Sequence, residues 1–151
     1  MSGKLMVAID GSEQGWKALD LAAELARGRE AEVVAVHAVA YEPLPTGLAE
    51  FAKVEGIQIE EERARFHASR TMGDALTTEA TKRLRQKGVG RARAMVVEGN
   101  PAHAILSAAA DEAVDMIVIG SRGHGDVASM LLGSVSHKVA HLAKCTCVIV
   151  K

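Results

Sequence analysis

Short runs of apolar residues, rich in Val and Ile, alternate along the chain with longer segments whose apolar residues recur every three or four positions. The short runs predict strands, and the longer segments predict amphipathic helices. Because most of the short runs are nearly continuous in apolar residues, we expect strands that helices cover on both faces. The pattern predicts an α/β protein with a parallel sheet. The predicted strands span residues 5–9, 33–39, 92–97, 116–119 and 147–150.

Polar residues mark where the helices between these strands begin. Ser12 is placed to cap the first helix. Asn100 is a natural cap for the third helix, and Pro101 suits its first position. A long second helix is predicted within residues 60–87, and the last helix from residue 133 onward.

The segment over residues 41–59 is less regular, because two prolines and a glycine interrupt it. Two alternatives stay open for residues 48–54: a short helix or a flap. The chain shows no internal repeat, and its 151 residues are enough for one ordinary core. We therefore expect a single domain over residues 1–151.

The distribution of charge along the predicted strands indicates their order in the sheet. The first and fourth strands are short and uncharged, which suits central positions, whereas Arg93 and Glu98 bracket the third strand, which suits an edge. Right-handed crossovers then give an open, doubly wound sheet with order 3-2-1-4-5 and helices on both faces. In such a sheet, ligands bind at the carboxyl ends of the strands where the winding reverses. This point lies between the first and fourth strands.

Residues with the chemistry of a nucleotide site follow those two strands. Asp10 follows the first strand, and a glycine series, Gly120, Gly123 and Gly133, begins at the end of the fourth. Glycine can adopt a positive φ and lets phosphate oxygens approach backbone N–H groups closely, and the helix that begins after Gly133 offers unpaired N–H groups at its positive end. The hydroxyls of Ser134 and Ser136 can also donate. An ionised Asp10 only accepts hydrogen bonds, so it suits a ribose hydroxyl or a metal ion.

Three motifs together resemble the universal stress protein family, specifically its ATP-binding branch. They are Asp10-Gly-Ser-Glu, Gly99-Asn-Pro101, and Gly120-x2-Gly123-x9-Gly133-Ser134 followed by Val135 and Ser136. The resemblance covers essentially the whole chain, and the spacing of the long glycine motif makes it specific. One departure is that Thr146 follows Cys145, where the family usually has Cys-Pro. This departure concerns the last strand and not the pocket.

The resemblance implies a homodimeric cytoplasmic protein that binds ATP, ADP or AMP, with or without Mg²⁺ bound to the phosphates. By similarity, Ala8 and Asp10 would flank the ribose and adenine, and Ala38 would contact adenine through its backbone. The same similarity places the ribose and phosphates against Gly120, Arg122 and Gly123, and the phosphate chain against Gly133, Ser134, Val135 and Ser136.

Three functions are compatible with such a site. We favour a regulatory module whose nucleotide occupancy or oligomeric state alters an unidentified partner protein. The alternative is a slow ATPase or adenylate-transferring enzyme that uses the same pocket. The chain has no Gly-x4-Gly-Lys-Ser/Thr loop, and its first strand does not continue into Ser-Gly-Gly-x-Asp-Ser, so the sequence favours binding. A structural protein without nucleotide is the third possibility, and the glycine motif counts against it.

Composition and charge exclude some classes of binding partner. A formal charge of −1, from 18 basic and 19 acidic residues, argues against phosphate polymers and anionic membranes as partners, and 3% aromatic residues leave few stacking platforms for single-stranded nucleic acid. No apolar run reaches the roughly 20 residues that cross a bilayer. We expect a cytoplasmic protein. Val148, Ile149 and Val150 form an uncharged edge strand, so we predict a homodimer joined there.

Each candidate residue also has a purely structural interpretation. Gly120 and Gly123 could simply turn the chain after a strand, and Asp10 could be only a turn or capping residue. Among the histidines, only His124 lies in the glycine loop, and we interpret His37 as a core histidine. His103, His137 and His141 lack carboxylates at ligand spacing, so we assign no metal site. Cys145 and Cys147 have the spacing of neither a redox motif nor a zinc pair, and we expect them to serve packing.

Overall fold

Five parallel strands and five helices form the part of the chain that the computed structural model describes, which is residues 3–40, 44–125, 129 and 131–151, without the side chain of Glu61. In chain order the elements are β1 (Lys4–Ala8), α1 (Glu13–Ala26), β2 (Glu32–Val39), α2 (Thr46–Val54), α3 (Glu60–Gln86), β3 (Arg91–Glu98), α4 (Pro101–Asp111), β4 (Met116–Gly120), α5 (Ser134–Leu142) and β5 (Thr146–Val150).

The strands pair in the order β3-β2-β1-β4-β5, as predicted, and every pair is parallel. Leu5 of β1 lies opposite both Val33 of β2 and Met116 of β4 in the register, so β1 has a strand on each side. The chain winds outward through β2 and β3 and then returns to the other side of β1. The reversal between β1 and β4 is the point at which a doubly wound sheet opens a crevice.

Two hydrophobic layers cover the two faces of the sheet. One layer joins the sheet to α1 and α3, and the other joins it to α4 and α5. Met6 and Val7 are neighbours in β1 and both are fully buried, one in each layer. This burial explains why the strands are continuous apolar runs, because successive side chains point to opposite faces and both faces are covered.

The predicted helix starts are confirmed. The Ser12 hydroxyl accepts a hydrogen bond from the Gly15 N–H (3.1 Å), and the Asn100 side chain accepts one from the His103 N–H (3.3 Å). Of the two alternatives for residues 48–54, the helix is correct, because they lie in α2. Gly56 then takes a left-handed φ of 69°, and the Ile57 N–H donates back to the Ala52 carbonyl (2.8 Å), which ends that helix.

The amino edge of the sheet carries a cluster of ion pairs on the far side from the reversal point. Glu32, at the start of β2, pairs with Arg91 and Arg93 of β3, and Glu112, just after α4, pairs with Arg93 and with Lys4 of β1. The hydrogen bonds that Arg93 and Lys4 donate to Glu112 hold the pKa of its carboxyl group below the ordinary value, and the bond from Arg93 has the larger effect. Acidic and basic side chains thus neutralise each other where three strands begin.

Within the described residues, no helix is both long enough and apolar enough to span a bilayer.

Candidate functional site

A cavity of about 470 Å³ opens at the carboxyl edge of the sheet, at the reversal between β1 and β4. It brings together residues that lie up to 128 positions apart in the chain, including nine of the ten residues that the sequence analysis selected. Those nine are Ala8, Asp10, Ala38, Gly120, Arg122, Gly123, Ser134, Val135 and Ser136. The tenth, Gly133, is the N-cap of α5 and is buried directly before Ser134.

Asp10 is held in place by hydrogen bonds from two loops. Its Oδ1 accepts from the Ser12 N–H (2.9 Å) and the Ser12 hydroxyl, and its Oδ2 accepts from the His124 N–H (3.3 Å). A side chain at Gly15 would place its Cβ 3.0 Å from Oδ1, so a glycine lets the first turn of α1 approach the carboxylate. A carboxylate oxygen can accept two hydrogen bonds, and Oδ2 accepts one from a described residue, so Asp10 can still receive a hydroxyl donor from a ligand.

The turn after β4 is held by a residue that sequence reasoning missed. The Gln14 Oε1 accepts hydrogen bonds from the Ser121 hydroxyl (3.0 Å) and the Arg122 N–H (2.8 Å). The Gln14 backbone also lies so close to Gly120 that an added Cβ there would be 3.0 Å from the Gln14 carbonyl carbon. The absence of a side chain at Gly120 therefore serves the packing of α1 against β4. Gln14 had no detectable signal in the sequence, because the contact spans more than a hundred residues.

The first turn of α5 forms the polar end of the cavity. The first hydrogen bond within this helix runs from the His137 N–H to the Gly133 carbonyl (3.0 Å), and among the described residues no side chain caps the helix at Gly133. The N–H groups of Ser134, Val135 and Ser136 precede that bond and have no partner within the helix. Together with the positive end of the helix dipole, they can bind an anion.

Two details of this turn differ from the sequence interpretation. The Ser136 hydroxyl lies within donating distance of the Ser121 and Gly133 carbonyls (2.7 and 3.1 Å), so its proton already has acceptors inside the protein. A ligand would therefore meet Ser136 through its backbone N–H. Gly133 has φ −72° and ψ 167°, which any residue can adopt, so this turn does not depend on a left-handed glycine at that position.

Part of the cavity wall is apolar. Ala8, Ala38, Ile105 and Ile119 belong to the hydrophobic layer under α4 and α5, and their exposed atoms continue into the cavity wall beside Pro101. Such a wall can accept the flat face of an aromatic base, while backbone groups at the strand ends remain within reach.

His37 also lines the cavity, and its ring has a protein partner. The His37 Nδ1 lies 2.8 Å from the Ile9 carbonyl, which agrees with the interpretation of a satisfied histidine, although His37 is only partly buried and lines the cavity.

Cys145 and Cys147 are half-buried against the layer under α4 and α5, and burial raises the pKa of the Cys147 thiol. Among the described residues, no group of three His, Cys, Asp or Glu side chains is arranged to hold a metal ion.

The fold and this site define a class: a doubly wound α/β protein with a cavity at the reversal point of its sheet, lined by a helix start and by apolar side chains. The model of the universal stress protein family matches residues 1–151, so the chain belongs to that family. A relative from Bacillus subtilis (strain 168), the universal stress protein YxiE, is 39% identical over 153 residues, and the match covers all of both chains.

Solved structures show the same fold. The universal stress protein UspA from Lactobacillus plantarum superposes with a TM-score of 0.81 at 18% identity, over 99% of this chain and 97% of that one. A universal stress protein in complex with cAMP superposes with a TM-score of 0.67 at 26% identity, over 99% of this chain and 96% of that one.

Proposed function

We propose that this protein binds an adenine nucleotide in the cavity at the carboxyl edge of the sheet. The observation that carries the proposal is that one cavity joins an apolar wall to the uncapped first turn of a helix. A nucleotide has the matching halves, an apolar base and an anionic phosphate chain. The relative whose structure contains cAMP supports the adenine class.

In the proposed arrangement, the base lies against the apolar wall near Ala38, and the ribose hydroxyls donate to Asp10. The phosphates lie against the N–H groups of Ser134, Val135 and Ser136, next to Arg122 and Gly123. Asp10 is the sole carboxylate among the described residues that line the cavity, and both its oxygens already accept protein hydrogen bonds. Mg²⁺, if it accompanies ATP or ADP, would therefore be held mainly by phosphate oxygens and water.

We further propose a regulatory module that acts in the cytoplasm through a partner protein. Binding is favoured over catalysis because the groups facing the phosphate end are N–H donors, whereas the cavity's carboxylate is engaged at the ribose position. The open edge of β5, with Val148, Ile149 and Val150, supports assembly as a homodimer.

Identification of any co-purified nucleotide tests this proposal directly. The protein is extracted with acid and the released small molecules are identified by mass spectrometry, and the nucleotide-free protein is then titrated calorimetrically with ATP, ADP, AMP and cAMP, with and without Mg²⁺. We expect saturable binding of at least one of these nucleotides. Analysis of the nucleotide after incubation separates binding from slow hydrolysis. No released nucleotide and no heat of binding would reject the proposal.

Gly123→Val tests where the phosphates lie. A branched side chain at this cavity-lining position would occupy the phosphate path, so we expect nucleotide binding to be lost while the melting temperature of the free protein changes little. Gly90→Val is the matched control, because an added Cβ at Gly90 meets no atom within 4 Å and the residue lies outside the cavity. Normal nucleotide affinity in Gly123→Val would show that the phosphates lie elsewhere.

A further inference from the structure

Two exposed histidines on α5, His137 and His141, lie one helical turn apart with their imidazole rings side by side. The ring centroids are 6.3 Å apart, and the ring planes differ by 1°. Both side chains are exposed, and the described residues give neither ring a hydrogen-bond partner. The four nitrogen atoms of this pair therefore remain available to a ligand from solution.

We propose that His137 and His141 form a bidentate site for a divalent transition-metal ion that prefers imidazole nitrogen, such as Zn²⁺, Ni²⁺ or Cu²⁺. Residues four positions apart lie on the same face of a helix, where two imidazoles can reach one ion at bond lengths of about 2.0–2.1 Å. Exposed side chains can rotate from the parallel arrangement to a shared ion at small cost. The sequence alone predicts no metal site here, because the pair lacks carboxylates at ligand spacing.

The surroundings of the pair determine which ions it selects. The nine residues of α5 include no Asp or Glu, and Lys138 follows His137 directly. No negative charge on this helix attracts a cation, so binding must come from the nitrogen lone pairs. Mg²⁺ and Ca²⁺ prefer oxygen ligands and are therefore excluded. With two protein ligands, water completes the coordination shell, so the ion is held with moderate affinity.

A bound ion would also stabilise the folded helix. It joins two successive turns of α5, whereas the unfolded chain does not hold the two rings at this spacing. Neither histidine lines the cavity, so the metal site does not depend on the proposed nucleotide. Because α5 carries the first turn that lines the cavity, the same helix would serve two ligands at different positions along its length.

Calorimetric titration of the full chain with ZnCl₂, NiCl₂ and MgCl₂ at pH 7.5 tests this site. We expect one Zn²⁺ or Ni²⁺ per chain and no binding of Mg²⁺. Replacing either His137 or His141 by Ala should weaken binding by about tenfold or more, because the second bond of a chelate forms within one molecule. His67→Ala on α3 is the matched control, since His67 is exposed and has Arg63 and Thr71 at the four-residue spacings.

Two further measurements test whether both histidines bind the same ion. The imidazole C–H resonances of His137 and His141 should shift together on adding Zn²⁺, and the affinity should fall as the pH is lowered from 7.5 to 5.5, because protons compete for the nitrogen atoms. Unchanged affinity in both single variants would overturn the proposal. A ratio of one ion per two chains would also overturn it, since the site would then join two molecules.

Discussion

At the residue scale, the Gln14 side chain links two elements that meet at the cavity. From α1 it accepts hydrogen bonds from Ser121 and Arg122 in the turn after β4. The Ser121 carbonyl in turn accepts from the Gly133 N–H (2.6 Å) and from the Ser136 hydroxyl. One side chain thus helps to position the first turn of α5, although Gln14 itself is absent from the cavity wall.

Gln14→Leu should weaken the binding of phosphate-bearing ligands selectively. It removes the acceptor that Ser121 and Arg122 share, at a cost of about 1–3 kcal/mol for each affected donor. We expect about a tenfold loss of ATP affinity and less than about a twofold change for adenosine, because only the phosphate end is displaced. Calorimetry with both ligands measures the ratio. Gln86→Leu makes the same chemical change at an exposed position. Equal losses for ATP and adenosine would contradict a role at the phosphate end.

The lowered pKa of Glu112 predicts how the stability of the fold depends on pH. Hydrogen bonds from Arg93 and Lys4 lower the pKa of Glu112 from its ordinary 4.5. A carboxylate with a lowered pKa stabilises the fold above the pKa of the unfolded chain, and that stabilisation is lost as the pH falls through the folded-state pKa. Glu112→Gln should therefore melt at a lower temperature than the parent protein at pH 7, and the difference should shrink as the pH falls below about 4.5.

Thermal melts from pH 3 to pH 8 measure this effect. Glu24→Gln, on the exposed face of α1, is the control and should follow the parent protein at every pH. A difference between Glu112→Gln and the parent that persists unchanged at pH 3 would mean that the carboxylate charge does not cause it.

At the element scale, α1 and β4 are in close contact where both line the cavity. Gly120 ends β4, and the backbone of Gln14 lies against it. The sequence predicts Gly120 in a phosphate loop, whereas the structure gives this residue a packing role as well. A helix start and a strand end can approach this closely only where one of them has no side chain.

Gly120→Ala should therefore destabilise the protein by about 1–3 kcal/mol, the usual range for overpacking a buried contact. The added Cβ would force α1 away from β4, so we also expect weaker nucleotide binding. Chemical denaturation measures the change in the free energy of unfolding. Gly90→Ala should have no such cost, because its Cβ would enter open space. Wild-type stability in Gly120→Ala would show that α1 can shift without strain.

At the scale of the whole molecule, the two edges of the sheet differ. The edge strand β3 carries Arg91, Arg93 and Glu98, and these charges oppose pairing with another chain. The other edge strand, β5, is uncharged and partly exposed. The Ser121 N–H donates to the Val150 carbonyl (2.7 Å), so Val150 faces β4. Because backbone groups alternate in direction along a strand, Ile149 directs its N–H and C=O to the open edge.

Ile149→Pro should consequently prevent dimer formation while leaving the β4–β5 ladder in place. Proline removes the outward N–H but none of the N–H groups that face β4. Ile149→Val keeps the N–H and is the control. Analytical ultracentrifugation at micromolar concentration should find a dimer for the parent and the Val variant and a monomer for the Pro variant. A monomeric parent protein would reject the homodimer.

Much of the fold was predictable because its signals are local. Continuous apolar runs such as Met6 and Val7 identify strands buried on both faces, and Ser12 and Asn100 identify helix starts from their own side chains. The strand order followed from where the charges lie, since Arg93 and Glu98 suit only an edge. Asp10 and the glycine series were placed at the cavity by the rule that ligands bind at the carboxyl ends of strands where the winding reverses. Four further wall residues came only from the resemblance to the family: Ala8, Ala38, Arg122 and Val135.

What the sequence by itself determined is therefore the order of the strands, the reversal between β1 and β4, and nine of the residues that line the cavity there. Tertiary structure alone decided which of their polar groups remain available to a ligand. The Ser136 hydroxyl and the Gln14 amide are both hydrogen-bonding groups in the sequence, yet both are used inside the protein. The physical reason is that periodicity and spacing report which face a residue occupies, whereas hydrogen-bond partners distant in the chain are set only when the elements pack.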